Sequence, residues 1–194
     1  INGGAGADTL YGDAGDDVID GGAGNDTILG GDGVDTIHGG DGDDLIYAGY
    51  NLNPFGDSGE GANRLYGDAG DDRLIGAAGV DILEGGAGND LLSGGQDIGQ
   101  NSAPGDILRG GDGDDFLSAS GVATLDGGAG ADRLALGGGA LTVSGGAGAD
   151  AFLLTGYQRS STPWTKIGYA TITDFNAADG DKIVLAGRTY YPAV

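Results

Sequence analysis

A nine-residue period runs through most of this chain and restricts what it can fold into. Blocks beginning at Gly3, Gly12, Gly21, Gly30 and Gly39 follow one another to Tyr47, each close to Gly-Gly-X-Gly-X-Asp-X-U-X with U apolar. Extra residues at 48–57 precede a weaker copy at 58–66, which carries Asn63 in place of Asp. The pattern resumes at Gly67, Gly76 and Gly85 and breaks again for extra residues at 94–100. It returns with a copy at 101–109 and blocks from Gly110, Ala119, Gly127, Leu136 and Gly145. Fifteen copies end at Leu153, and U is apolar in every one: Leu10, Ile19, Ile28, Ile37, Ile46, Leu65, Leu74, Leu83, Leu92, Leu108, Leu117, Leu125, Leu134, Val143 and Phe152.

One apolar residue in nine matches neither a helix nor a long alternating strand. Six residues of turn followed by three of strand do match. The middle side chain of such a strand points inward and its two neighbours point to solvent. Two copies then make one eighteen-residue coil, with strands of equal parity stacking as a parallel sheet on each side of a flattened solenoid. The core of such a solenoid is thin, and 46 Gly among 194 residues make ordering the backbone costly. A further stabilising interaction is required.

The acidic residues supply it. Of 30 acidic residues only Glu60 and Glu84 are Glu, which leaves 28 Asp against 8 Lys plus Arg and a net charge of −22. This balance excludes the basic patch of a nucleic-acid binder. No apolar run approaches the roughly 20 residues of a membrane span, and with no Cys there is neither a disulfide nor thiolate chemistry. The chain opens at Ile1, beside a repeat and without Met, and reads as a piece of a longer protein.

Asp recurs at the sixth position in twelve of the fifteen copies, which general turn preference or solubility does not explain. A short carboxylate arm beside Gly-rich backbone is suited to Ca2+, which takes six to eight oxygen ligands from carboxylates and carbonyls. The candidate side-chain ligands are Asp8, Asp17, Asp26, Asp35, Asp44, Asn63, Asp72, Asp81, Asp90, Asp106, Asp115, Asp132 and Asp150. In the first five copies the candidate turn glycines are Gly3, Gly4, Gly6, Gly12, Gly15, Gly21, Gly22, Gly24, Gly30, Gly31, Gly33, Gly39, Gly40 and Gly42. Later copies add Gly67, Gly70, Gly85, Gly86, Gly88, Gly110, Gly111, Gly113, Gly127, Gly128, Gly130, Gly145, Gly146 and Gly148. The twelve-residue spacing and final Glu of an EF-hand loop are missing.

Parity sharpens the expectation. Odd copies carry Asp8, Asp26, Asp44, Asp72, Asp90, Asp115, Asp132 and Asp150 without a break. Even copies carry Asp17, Asp35, Asn63, Asp81 and Asp106, then Ala123 and Leu141. With an ion between each turn and the second one along, the odd edge holds about seven Ca2+ and the even edge at most four, with none beyond Asp106.

In these fifteen copies the chain resembles the RTX (repeats-in-toxin) calcium-binding family, whose nonapeptide they match. The resemblance implies an all-β, right-handed parallel β-roll over residues 1–153, with Ca2+ held by turn carbonyls and Asp side chains. It also implies export through type I secretion machinery and folding outside the cell or at its surface, where calcium is plentiful. At low calcium the carboxylates repel and the Gly-rich chain stays disordered, so that binding becomes folding.

Residues 154–194 read as an antiparallel β cap leading toward a secretion signal, with strands at 169–175 and 182–185 around a turn at 179–181. The segment is similar to the I-T-D-F…D-x-I-x-L stretch that follows β-rolls in secreted bacterial proteins. Asp174, Asp179 and Asp181 read as a solvated turn or as one more ion site. The outward residues Tyr11, Leu29, Leu45, Tyr47, Ile75, Leu91 and Phe116 make one face apolar, suited to an upstream domain of the same polypeptide. No catalytic set stands out, and the single His, His38, falls on an outward strand position. The function expected is a non-catalytic calcium-binding module that stabilises an attached domain. The alternatives are the C-terminal roll of a secreted polysaccharide epimerase or lyase, protease or lipase, aiding polysaccharide binding through loops with Tyr50, Phe55 and residues 96–100, and an adhesin segment.

Overall fold

The computed structural model describes residues 1–49, 61–95, 105–119, 121–137, 139–154 and 169–185. Among these residues eighteen strands and no helix occur, alternating between two nine-stranded sheets. The first sheet holds β1 (Asn2–Ala5), β3 (Val18–Ala23), β5 (Thr36–Asp41), β7 (Arg64–Ala69), β9 (Ile82–Ala87), β11 (Asp106–Asp112), β13 (Ala123–Ala129), β15 (Ala140–Ala147) and β17 (Tyr169–Ile172). The second holds β2 (Thr9–Ala14), β4 (Thr27–Asp32), β6 (Leu45–Tyr47), β8 (Arg73–Ile75), β10 (Leu91–Ser93), β12 (Phe116–Ala119), β14 (Arg133–Leu136), β16 (Ala151–Leu154) and β18 (Lys182–Leu185). All pairings are parallel. This is the β-roll that the repeat predicts.

The register shows how the extra residues are absorbed. Ile19 pairs with Ile37, one coil on, while Ile37 pairs with Leu65 and Leu83 with Leu108. The extra residues therefore leave the coil between strands, and the apolar row stays in line. From Ile19 to Phe152 each U side chain is fully buried, and Leu10, in the first coil, is half-buried against the same core.

The first-sheet strands run longer than the expected three residues. β3 and β5 have six residues and β15 has eight. The opening residues of the next turn also pair, as in Gly22 with Gly40 and Ala23 with Asp41. Glycine makes this possible, because turns that stack directly leave no room for a side chain. At Gly42 φ is +121°, and a Cβ there would lie 2.7 Å from the Gly24 carbonyl oxygen.

The antiparallel cap expected after the repeats is not what forms. β17 lies parallel to β15, pairing Val143 with Ile172, and β18 lies parallel to β16, pairing Phe152 with Ile183. The two segments thus add one more coil. Their intervening turn is longer than the two to five residues that suit a hairpin, and the end of each sheet offers unpaired N–H and C=O groups that a parallel strand satisfies. Tyr157, Trp164, Tyr190 and Tyr191, the loop residues Tyr50, Phe55 and 96–100, and most of both insertions lie outside the described residues.

The two edges differ in the side chains that line them beyond Asp106. Asp106, Ala123 and Leu141 are in register on the even edge. Ala123 and Leu141 are buried with Ala119 and Leu136 in the hydrophobic core. Where Asp stops, apolar side chains fill the space.

Candidate metal centre

The sixth-position side chains form two ladders. On the odd edge the backbone N–H of Asp8 donates to Asp26 Oδ1 (2.8 Å), Asp26 to Asp44 (2.7 Å), Asp44 to Asp72 (2.7 Å) and Asp72 to Asp90 (2.8 Å). Asp90 donates to Asp115 (2.8 Å), Asp115 to Asp132 (2.8 Å) and Asp132 to Asp150 (3.0 Å). On the even edge Asp17 donates to Asp35 Oδ1, Asp35 to Asn63, Asn63 to Asp81 and Asp81 to Asp106. Each candidate side chain is thus placed, and parity divides them.

One carboxylate oxygen per rung holds the ladder together. The other is the candidate ligand. Oδ2 of Asp8, Asp17, Asp26, Asp35, Asp44, Asp72, Asp90, Asp115, Asp132 and Asp150 is buried and accepts no hydrogen bond. In each turn it lies beside the first glycine, in a space that a Cβ would fill. At Gly3 that Cβ position is 2.8 Å from Asp8 Oδ2 and 2.5 Å from the carbonyl oxygen of Gly21, in the next odd turn. Carboxylate and carbonyl oxygens converge here with no donor, as a hard cation requires. Among the described residues no three His, Cys, Asp or Glu side chains gather at one point, so backbone carbonyls must supply most of the ligands.

Stacking buried carboxylates has an electrostatic cost. Burial pushes Asp72 and Asp115 up to about 7 and Asp44, Asp90 and Asp132 up to about 6, against the lowering effect of the N–H each accepts. Neighbouring carboxylates raise them further, as Asp90 and Asp44 do for Asp72. Asp35 and Asp150 are also raised, first by burial. Without a cation, these folded carboxylates bind protons that the unfolded chain has released. The ion-free fold therefore gains stability as pH falls from about 7 toward the ordinary carboxylate range and loses it as pH rises. With calcium stripped on a chelating resin, acidification from about pH 7.5 to about pH 5 is expected to increase the β signal in circular dichroism, whereas in calcium the same step lowers the melting temperature because protons compete with the ion. An ion-free signal that falls on acidification would contradict this.

Two features went unread in the sequence. At Asp81 the N–H of Ala77 donates to Oδ2 (3.0 Å), the oxygen left open in most other rungs. Ala77 stands where most copies have a second Gly, and its amide occupies that oxygen. Fifth-position side chains also build an outer ladder running the opposite way. Asp43 N–H donates to Asn25 Oδ1, Asp71 to Asp43, Asn89 to Asp71, Asp114 to Asn89 and Ala131 to Asp114. Recurrent Asp and Asn at position five was the available signal.

The model of the RTX calcium-binding nonapeptide repeat family (4 copies) matches residues 1–28, 20–50, 57–92, 105–121 and 119–152. The chain belongs to this RTX family. Calcium is therefore the cation for which the oxygen-lined turns are built, and the RTX chain is a calcium-binding module. No curated protein matches the chain.

On the outer faces, His38 stands on the first sheet as expected. It is stacked on Tyr66 (centroids 4.5 Å apart), with Nδ1 2.9 Å from Asp68 Oδ2. On the second sheet Tyr11 and Leu91 are exposed, and Leu29, Leu45, Tyr47, Ile75 and Phe116 are half-buried. Among the described residues no helix is long and apolar enough to cross a membrane.

Proposed function

We propose that this chain is a non-catalytic calcium-folded module of a protein exported by type I secretion, disordered where calcium is scarce and folded outside the cell, where it stabilises an attached domain. The row of buried Oδ2 atoms without donors carries the reading: it runs the length of the repeats, and an ion-free fold must tolerate every one of them. Seven gaps lie along the odd edge between Asp8 and Asp150. Four lie along the even edge between Asp17 and Asp106; the two beside Asn63 have a carboxylate on one side only, and in the last the Ala77 amide donates to Asp81 Oδ2. The apolar strip of the second sheet, from Tyr11 to Phe116, is where the attached domain docks. The test is a calcium titration followed by circular dichroism. Half-folding is expected between about 10 µM and 1 mM free Ca2+, the range that separates cytosolic from extracellular calcium. A fold already complete below about 0.1 µM would overturn the reading.

A further inference from the structure

The odd ladder does not stop with the repeats. The N–H of Asp150 donates to Asp181 Oδ1 (3.1 Å), the bond that joins each pair of neighbouring rungs below it. The carbonyl of Asp150 accepts from Lys182 N (2.8 Å), as that of Asp132 accepts from Ala151 N (2.7 Å). Asp181 is thus a ninth odd-edge rung, delivered by a turn outside the region matched by the repeat family. That turn lies flat on the one before it: φ at Gly180 is +106°, and a Cβ there would be 3.0 Å from Ala149 Cβ.

We propose that the turns 145–150 and 173–181 close an additional calcium site between the carboxylates of Asp150 and Asp181, an inference that rests on the calcium reading above. Asp150 is fully buried, and its Oδ2, with no donor, is the atom nearest the Cβ position of Gly145, the same placement that Asp26 Oδ2 has beside Gly21. The other two acids of the turn are otherwise engaged. Asp174 takes the amides of Gly145 (3.0 Å) and Gly146 (2.8 Å) and the Ser144 hydroxyl (2.6 Å). Burial tends to raise its carboxyl, but these hydrogen bonds outweigh that and hold it below the ordinary range. Asp179 Oδ2 takes the Asn176 side-chain amide (2.5 Å). Asp181 Oδ2, which faces no further turn among the described residues, is capped by the Asn176 N–H (2.8 Å). The last described rung is therefore capped on its outer side, while on its inner side Oδ1 meets the Asp150 amide, as in the rungs below, and the oxygen left without a donor is Asp150 Oδ2.

Equilibrium dialysis against calcium tests this, using the full chain, Asp181→Asn and Asp179→Asn. Asn at the rung keeps an acceptor for the Asp150 amide, as Asn63 does for Asp35 (2.8 Å), and removes only the charge. At a concentration that just fills the gaps bounded by two carboxylates in the parent chain, Asp181→Asn is expected to bind one ion fewer and Asp179→Asn the same number. Equal uptake by Asp181→Asn overturns this site but leaves the calcium module standing, whereas no uptake by the parent chain defeats the module itself. Should Asp181→Asn fail to fold, crystals of the parent chain grown with Tb3+ decide. An anomalous peak between Asp150 and Asp181 is expected, and peaks along Asp8 to Asp150 with none beyond would overturn it.

Discussion

In excess EGTA at neutral pH the chain is expected to lose its β signal and its thermal transition together, and to regain both when calcium is restored. The effect is large because the sites add. At a free concentration ten times Kd each site contributes about 1.4 kcal/mol, so roughly ten sites contribute about 14 kcal/mol. Whole domains are stable by only about 5–15 kcal/mol. Chelation also leaves the buried carboxylates of both edges facing one another with nothing between them. Circular dichroism melts with and without EGTA measure this. A melting temperature unchanged by chelation would contradict it.

Replacing one interior rung should produce the largest effect of any single side chain. Asp90 is buried, accepts the Asp72 amide (2.8 Å) and borders two ion gaps through its carboxylate. Asp90→Ala leaves that amide without its acceptor, which costs about 1–3 kcal/mol, and weakens two ion sites of about 1.4 kcal/mol each. A loss of roughly 4–6 kcal/mol is expected in saturating calcium. Asp90→Asn should lose less, since it still accepts the amide, as Asn63 does on the even edge. Asp112→Ala, at an exposed third position, should change stability little. Denaturant melts of the three variants give the comparison, and equal losses at Asp90 and Asp112 would remove the rung from the account.

The parts of this structure legible in the sequence are those that repeat. The apolar U row, the two edges and the harmless insertions all follow from a period that each copy restates, and Ile19 through Phe152 are buried as that period requires. The unread parts depend on single residues. Ile172 and Ile183 extend the U rows beyond the repeats, but the turn between them lacks the Gly-Gly opening, so the segment reads as a hairpin. Ala77 looks like a mild departure from Gly, yet its amide donates to Asp81 Oδ2, an oxygen that carries no donor in most other rungs. The outer ladder escaped because Asp and Asn alternate with Val and Ala at position five, and its regularity emerges only when copies of one parity are stacked.

That coordinated ions complete a fold which the thin core leaves unfinished is tested most directly by following ion uptake and β structure in one calcium titration of the same sample. The account predicts that the two curves rise together, steeply and over one narrow range of calcium, with negligible β signal before the first ions bind. A full β signal reached ahead of uptake, or ions taken up by a chain whose signal stays flat, would contradict it.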